Sequence, residues 1–337
     1  MNPVPGTVAV IGSGAWGTTL AMVADRAGTD TTLVVRNTEV FTSLRDRHRH
    51  PKSLPGIDFP PTITLSQDQD TAINAAEVVL LVLPTQKLRV AVQPIASLLR
   101  GKIVVVAAKG IEIGTSLLPT QILEDVIGAH SDTPLCALSG PNLAMEVALG
   151  KPATTVIASS NLTSAERVQS LLMGESLRVY TSTDLVGVQI GGALKNVIAI
   201  GAGIGDGLQA GDNAKAAFMT RGIAEIARLG VSLGADPLTF AGLSGIGDLI
   251  CTCSSDLSRN HQVGVGLASG KSLADVLAGM SEIAEGVDTT RAAIDMARRA
   301  GIEMPIAEQM YAVLFSEKSP VDAVRSLMMR EPRHEHF

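Results

Sequence analysis

The stretch Thr7-Val8-Ala9-Val10-Ile11-Gly12-Ser13-Gly14-Ala15-Trp16-Gly17-Thr18-Thr19-Leu20-Ala21 decides how this chain is read. A β-branched run at 7–11 predicts a strand, and an apolar helical pattern at 18–27 follows it. Between them Gly12-Ser13-Gly14-Ala15-Trp16-Gly17 is a G-x-G-x-x-G. In a dinucleotide site each glycine has a separate task. The first permits a tight turn, the second lets backbone approach a pyrophosphate, and the third lets helix and strand pack closely. The helix start then offers free N–H groups and a partial positive charge to the anion. Residues 12–17 are therefore expected to bind a dinucleotide.

From this loop the alternation spreads along the first half. Short strand-like runs recur at 31–35, 63–65, 78–83, 103–107, 135–138, 154–158 and 178–181. The run Val78-Val79-Leu80-Leu81-Val82-Leu83 is apolar throughout, as expected when helices cover both faces of a parallel sheet. Amphipathic stretches at 18–27, 85–99, 117–127 and 164–173 lie between the strands, which predicts βαβ units. After residue 184 the strand-like runs stop. Helical segments follow near 186–204, 214–233, 258–268, 288–300, 307–315 and 321–328, with Asp184 placed to cap the first. The expected fold is α/β: an N-terminal Rossmann-type doubly wound domain over 1–184, a C-terminal all-helical domain over 185–330, and a solvated tail over 331–337. No low-complexity linker divides the halves, so a cleft between two packed domains is expected.

Composition narrows the class. The 337 residues are 46% hydrophobic and 18% charged, which fits an ordinary globular protein. A net charge of -6 argues against a dedicated nucleic-acid binder. The one basic run, Arg45-Asp46-Arg47-His48-Arg49-His50, reads as a solvated helix end or loop. Three cysteines cannot close a disulfide framework. Residues 1–6 carry neither the basic nor the apolar region of a secretory signal. No stretch is read as the roughly 18 uncharged apolar residues of a membrane span. A cytoplasmic location is expected.

The second strand bears on the cofactor. NAD-selective sites usually end this strand in a carboxylate, whereas here Val34-Val35-Arg36-Asn37 places a cation. Arg36 suits a 2′-phosphate and Glu39 nearby suits a ribose hydroxyl, so NADP(H) is expected, with NAD(H) as the alternative. Gly270-Lys271-Ser272 imitates the end of a Walker A loop, but Val265 stands where its first glycine should be. Cys251-Thr252-Cys253 with His261 lacks zinc spacing and reads as buried structural thiols, so no metal is expected. Two lysines remain. Lys109 follows the strand 103–107, at the sheet edge where ligands bind. Lys195 interrupts a small, apolar helix, and either snorkels to solvent or is buried for proton exchange.

The ordered set Gly12-Ser13-Gly14-Ala15-Trp16-Gly17-Thr18, Ala108-Lys109-Gly110, Ser139-Gly140-Pro141, Gly191-Gly192-Ala193-Leu194-Lys195-Asn196-Val197, Gly245-Ile246-Gly247-Asp248-Leu249 and Ser258-Arg259-Asn260 resembles the bacterial NAD(P)-dependent glycerol-3-phosphate dehydrogenases. Glu285-Gly286 and Met304-Pro305-Ile306 extend the likeness over about 8–328. The resemblance implies hydride exchange between NAD(P)H and C2 of dihydroxyacetone phosphate, serving glycerophospholipid synthesis, in a homodimer. It implies Lys195 as proton donor and acceptor, Lys109 as a second cation that polarises the carbonyl, and Asp248 as the group orienting the lysine and meeting a substrate hydroxyl. It implies Arg259, with Ser258 and Asn260, at the anionic end of the substrate. Gly140, Asn142 and Ala144 would line the site, with Ala144, Lys109, Arg259 and Glu285 also bordering the cofactor. For Asp248 and Arg259 the plainer readings are a surface ion pair or a helix cap. Asn142-Leu143 stands where the family often has a hydroxyl residue and Phe, and Ala15 where serine is common. The nearest rival is another two-domain NADP-dependent hydroxyacid or ketopantoate-type dehydrogenase; a more distant one is a non-catalytic dinucleotide sensor.

Glycine supplies 33 residues, and Gly187, Gly191, Gly192, Gly201, Gly203 and Gly205 flank Lys195. Helical glycine is unfavourable by roughly 1 kcal/mol against alanine. So many on one helix imply close approach of neighbouring backbone.

Overall fold

The computed structural model describes residues 6–128, 131–280, 282–332 and 334–335. Its strands are β1 (Thr7–Ile11), β2 (Asp30–Val34), β3 (Thr64–Ser66), β4 (Val78–Leu81), β5 (Ile103–Val106), β6 (Leu135–Ser139), β7 (Ala153–Ser159) and β8 (Leu177–Ser182). They form one sheet in the order β3-β2-β1-β4-β5-β6-β7-β8. The order reverses between β1 and β4, and the crevice beyond the strand ends at that point is where an open α/β sheet binds ligands.

The expectation of a parallel sheet holds through β6 and fails at β7, which runs antiparallel to β6 and is paired in parallel by β8. The physical cause is the connection. Between Ser139 and Ala153 the chain forms a helix of only five residues, Ala144–Ala148. At about 1.5 Å per residue such a helix cannot carry the chain back along a strand that rises about 3.3 Å per residue. The chain therefore turns and pairs the other way.

Two apolar layers sandwich the sheet, one around Val8, Val10, Leu20, Leu80 and Leu138, the other around Ala9, Ile11, Val79, Leu81 and Leu88. Beyond β8 the described residues form helices only. Asp184 caps the first, accepting from Gly187 N at 2.8 Å, as its position predicts. This helix, Leu185–Gly207, is buried continuously over 187–204. By length and composition it could cross a membrane, contrary to the reading that no such stretch exists, but 89% of its most apolar window is buried inside the protein. It is the axle of a third core, to which Ile111 and Leu118 of the α/β half also belong.

The glycines explain how neighbours come so close. A Cβ on Gly203 would fall 2.0 Å from His261 O, and one on Gly191 would fall 2.3 Å from Ser244 O. Glu225 ties two further helices together by accepting from Ile306 N and Ala307 N, both at 2.9 Å, and burial pushes its carboxyl up to about 7. Glu331 and Pro332 of the tail are exposed, whereas Arg333, His336 and Phe337, and residues 1–5 of the stretch read for a leader, lie outside the described residues.

Candidate active site

The glycine loop sits at the sheet's reversal point. Gly12 has φ +120°, and a Cβ there would meet Val82 O at 2.2 Å; a Cβ on Gly17 would meet Gly12 O at 1.8 Å. Both glycines are needed by the protein's own backbone. Gly14 differs, because a Cβ there would meet nothing within 4 Å. Its open face, at the N-cap of helix Ala15–Arg26 with no side chain capping it, leaves room for an anion such as a pyrophosphate. Trp16 carries a buried Nε1 with no partner among the described residues. These features fit a dinucleotide. Arg36 is exposed beyond the end of β2, while Glu39 pairs with Lys52 at 3.3 Å. Arg36 and Lys52 are thus both exposed cations near this edge.

Across the crevice the two lysines meet on one carboxylate. Asp248, on helix Asp248–Cys253, is fully buried and accepts from Lys195 Nζ through Oδ1 at 2.5 Å and from Lys109 Nζ through Oδ2 at 2.7 Å. Lys195 also donates to Thr252 Oγ1 at 2.6 Å, and Thr252 in turn donates to Asp248 O at 2.7 Å. Lys109 donates to Gly140 O at 2.9 Å, and its own carbonyl accepts from Asn196 Nδ2 at 3.1 Å. The alternative that Lys195 snorkels to solvent is excluded, since the residue is only 7% exposed. Burial holds its ammonium down at about 8; Asp248 opposes that shift and Lys109 reinforces it. Such an amine changes protonation near neutral pH, which suits proton exchange with an alcohol.

Local structure places this lysine. One turn before it, a Cβ on Gly192 would fall 2.5 Å from Ser139 Oγ, so the helix lies directly on the end of β6. Replacing Gly192 by Val is expected to displace Ser139 and the nearby Lys109 stem. It should cost about 1–3 kcal/mol of stability and lower turnover, with thermal melts and initial rates as the check. Unchanged values would refute the close approach.

Other residues singled out from sequence are arranged differently. Glu285 reaches from the helical half to the sheet edge, accepting from Thr85 N at 2.8 Å, Thr85 Oγ1 at 3.0 Å and Lys109 N at 3.2 Å. Its carboxylate thus fixes the backbone beneath Lys109. Asn142 does not join the cluster: its amide donates to Thr154 O at 2.9 Å and accepts from Thr155 Oγ1 at 3.0 Å, turning toward β7. Ala144 opens its short helix and accepts from Thr19 Oγ1 at 3.2 Å, beside the glycine-loop helix. Ser258 caps helix Arg259–Ala268, and Asn260 Oδ1 accepts from Gly286 N at 2.9 Å. The Arg259 side chain is 46% exposed and pairs with Glu282 at 3.0 Å.

The basic run does not end wholly in solvent. His50 is half-buried, and its Nε2 meets Ser13 O of the glycine loop at 2.8 Å. Cys253 is a buried thiol pushed up to about 12, but Cys251 is only half-buried, in contrast to the sequence reading. No cluster of metal-binding side chains occurs among the described residues. Sequence reading passed over Thr252, Asn196, Thr85, Glu282 and Ser53. Only Asn196, beside Lys195, and Thr252, one helical turn after Asp248, carried a local signal.

Models of the NAD-dependent glycerol-3-phosphate dehydrogenase N-terminus and C-terminus match residues 7–165 and 184–325. The chain belongs to this family. A glycerol-3-phosphate dehydrogenase [NAD(P)+] of Desulfitobacterium hafniense is 47% identical over 97% of this chain and 92% of its own. One from Halalkalibacterium halodurans is 45% identical over 97% of this chain and 95% of its own. The crystal structure of glycerol-3-phosphate dehydrogenase from Coxiella burnetii superposes with a TM-score of 0.91 at 30% identity, covering 97% of this chain and 99% of that one. As a member of the glycerol-3-phosphate dehydrogenases the chain is an NAD(P)-dependent oxidoreductase, which sets aside the ketopantoate-type and sensor alternatives.

Proposed function

We propose that this glycerol-3-phosphate dehydrogenase works toward sn-glycerol 3-phosphate, reducing dihydroxyacetone phosphate with Lys195 as proton donor, and that the product serves glycerophospholipid synthesis. The observation that carries this reading is the carboxylate of Asp248 shared between Lys195 and Lys109 across the crevice from the open face of Gly14. A dinucleotide held at the loop Gly12–Gly17 would supply the hydride for C2. Lys195 Nζ gives a proton to the C2 oxygen and is re-protonated from water. Asp248 orients that ammonium and balances its charge, while Lys109 draws electron density from the carbonyl. Arg259 takes the phosphate end, where a guanidinium fork suits an anion. Ser258 and Asn260 act by fixing the helix that carries it. Gly140 contributes its backbone, and Glu285 holds Lys109 in register at the cofactor's edge.

Residues 1–184 form the dinucleotide domain and 185–330 the helical catalytic domain on this reading. Free thiols at Cys136, Cys251 and Cys253 support a reducing, cytoplasmic setting. Exposed Val321, Met328 and Met329 support a homodimer.

The test is loss of absorbance at 340 nm when purified protein meets dihydroxyacetone phosphate with NADPH or NADH, and no loss with either cofactor overturns the proposal. In the same assay Arg36→Ala is expected to raise the KM for NADPH about tenfold, on the scale of one lost charge-assisted hydrogen bond. The KM for NADH should stay near its wild-type value. Equal effects on the two cofactors would reject recognition of the 2′-phosphate.

A further inference from the structure

The segment 48–59 follows helix Thr38–Arg47 and precedes β3. Its far end is anchored, since Leu54, Ile57 and Phe59 are buried in the core and Phe59 N donates to His48 O at 2.7 Å. Two side chains between these anchors connect the glycine loop to the helical half, His50 on the loop side and Ser53 on the other. His50 Nδ1 accepts from Ser53 N at 2.9 Å and from Lys52 N at 3.2 Å. That nitrogen therefore carries no proton, and Nε2–H donates to Ser13 O at 2.8 Å. On the other side Ser53 Oγ donates to Glu282 Oε1 at 2.7 Å, and Glu282 Oε2 pairs with Arg259 NH1 at 3.0 Å. An unbroken chain thus runs Ser13, His50, Ser53, Glu282, Arg259, from the glycine loop to the cation on the opposite half.

The pair with Glu282 engages NH1 of Arg259. A guanidinium has five N–H donors in a fixed fork, so this contact can orient the side chain while its Nε and NH2 edge stays able to grip an anion. Ser53 is buried, and its hydroxyl holds Glu282 in turn.

We propose that Ser53 and Glu282 are positioning residues that set Arg259 at a fixed distance from the dinucleotide loop, and so hold the substrate's phosphate in register with the cofactor. The inference rests on Arg259 as the phosphate-binding group. Neither Ser53 nor Glu282 touches substrate in this account; both act through Arg259.

Ser53→Ala, Glu282→Gln and the double variant test it, measured as full-length enzyme. Each single variant should keep the wild-type Tm and bind NADPH alone within about twofold of wild type by fluorescence titration. Each should lose kcat/KM for dihydroxyacetone phosphate about tenfold, as misplacement of a binding group does. Calorimetric binding of glycerol 3-phosphate should weaken in parallel. Links in series predict that the double variant is no worse than either single one, and that Ser53→Thr, which keeps the hydroxyl, restores activity. Wild-type kcat/KM in the single variants, or losses that multiply in the double variant, would overturn the inference while leaving the proposed reaction standing. A wild-type protein that neither reduces dihydroxyacetone phosphate nor binds glycerol 3-phosphate overturns the phosphate-binding reading itself, and this inference with it.

Discussion

Changing Lys195 to Met is expected to lower kcat at least about a hundredfold, the scale of a positioned acid–base group, while the protein stays folded. Methionine is close in length to the lysine stem it replaces at this buried position, and Asp248 keeps Lys109 as its counter-ion at 2.7 Å. What disappears is a buried amine whose pKa burial lowers. Burial lowers it to about 8 against the ordinary lysine value of 10.5. The pH dependence has a definite sign. Reduction needs the ammonium, so wild-type kcat for dihydroxyacetone phosphate should fall as pH rises through about 8. Oxidation of glycerol 3-phosphate needs the free amine, so its kcat should rise over the same range. The Met variant should show neither limb. Steady-state rates in both directions across that range are the check, and near-normal turnover in the variant would reject the proton-transfer role.

Changing Asp248 to Asn should have the largest effect on stability. The substitution keeps the shape of the side chain but removes the anion bonded to both lysine ammonium groups, one of them buried. Leaving a buried charge unpaired costs about 3–5 kcal/mol. Part of that cost is avoided by deprotonation, because Lys195 loses the group that opposes its downward shift. A lysine whose folded pKa lies below its unfolded value binds fewer protons when folded, so stability rises with pH between the two values. That window opens near 8 in the wild type and lower in the variant. The stability deficit of Asp248→Asn should therefore be largest near pH 7 and shrink toward about pH 9. Denaturant melts at the two pH values decide it, and a deficit independent of pH would show that Asp248 does not carry the charge of Lys195. Turnover should fall as well, because the ammonium loses its orienting partner.

The helical domain shows why these two residues differ in how readable they were. Lys195 was conspicuous because a cation inside Gly191-Gly192-Ala193-Leu194 is rare enough to demand a reason. Asp248 was not, since an aspartate at a helix start is ordinary; only its motif context pointed to it. Thr252 had no signal but its spacing of one helical turn from Asp248. His50, Ser53 and Glu282 had none, because Ser53 and Glu282 meet across 229 positions of sequence. Asn142 shows the opposite failure. Its position in the motif suggested a substrate contact, but the antiparallel β7 offers Thr154 O and Thr155 Oγ1 within reach, and the amide bonds there.

The dinucleotide loop, the succession of strands and helices, the change of architecture near residue 184 and the identity of the two lysines were all determined by the sequence alone. Each is written in local periods or in glycines whose neighbours along the chain require them, as with Gly12 and Gly17. The tertiary structure alone decided the reversed direction of β7, the burial that brings Lys195 to about 8, the shared carboxylate of Asp248 and the chain of bonds from Ser13 to Arg259. The direction of β7 follows from the short connection after Ser139, and the others depend on desolvation and on distances between residues remote in the chain. A local pattern records neither quantity; the burial of Lys195 arises when the helix Leu185–Gly207 is enclosed by its neighbours.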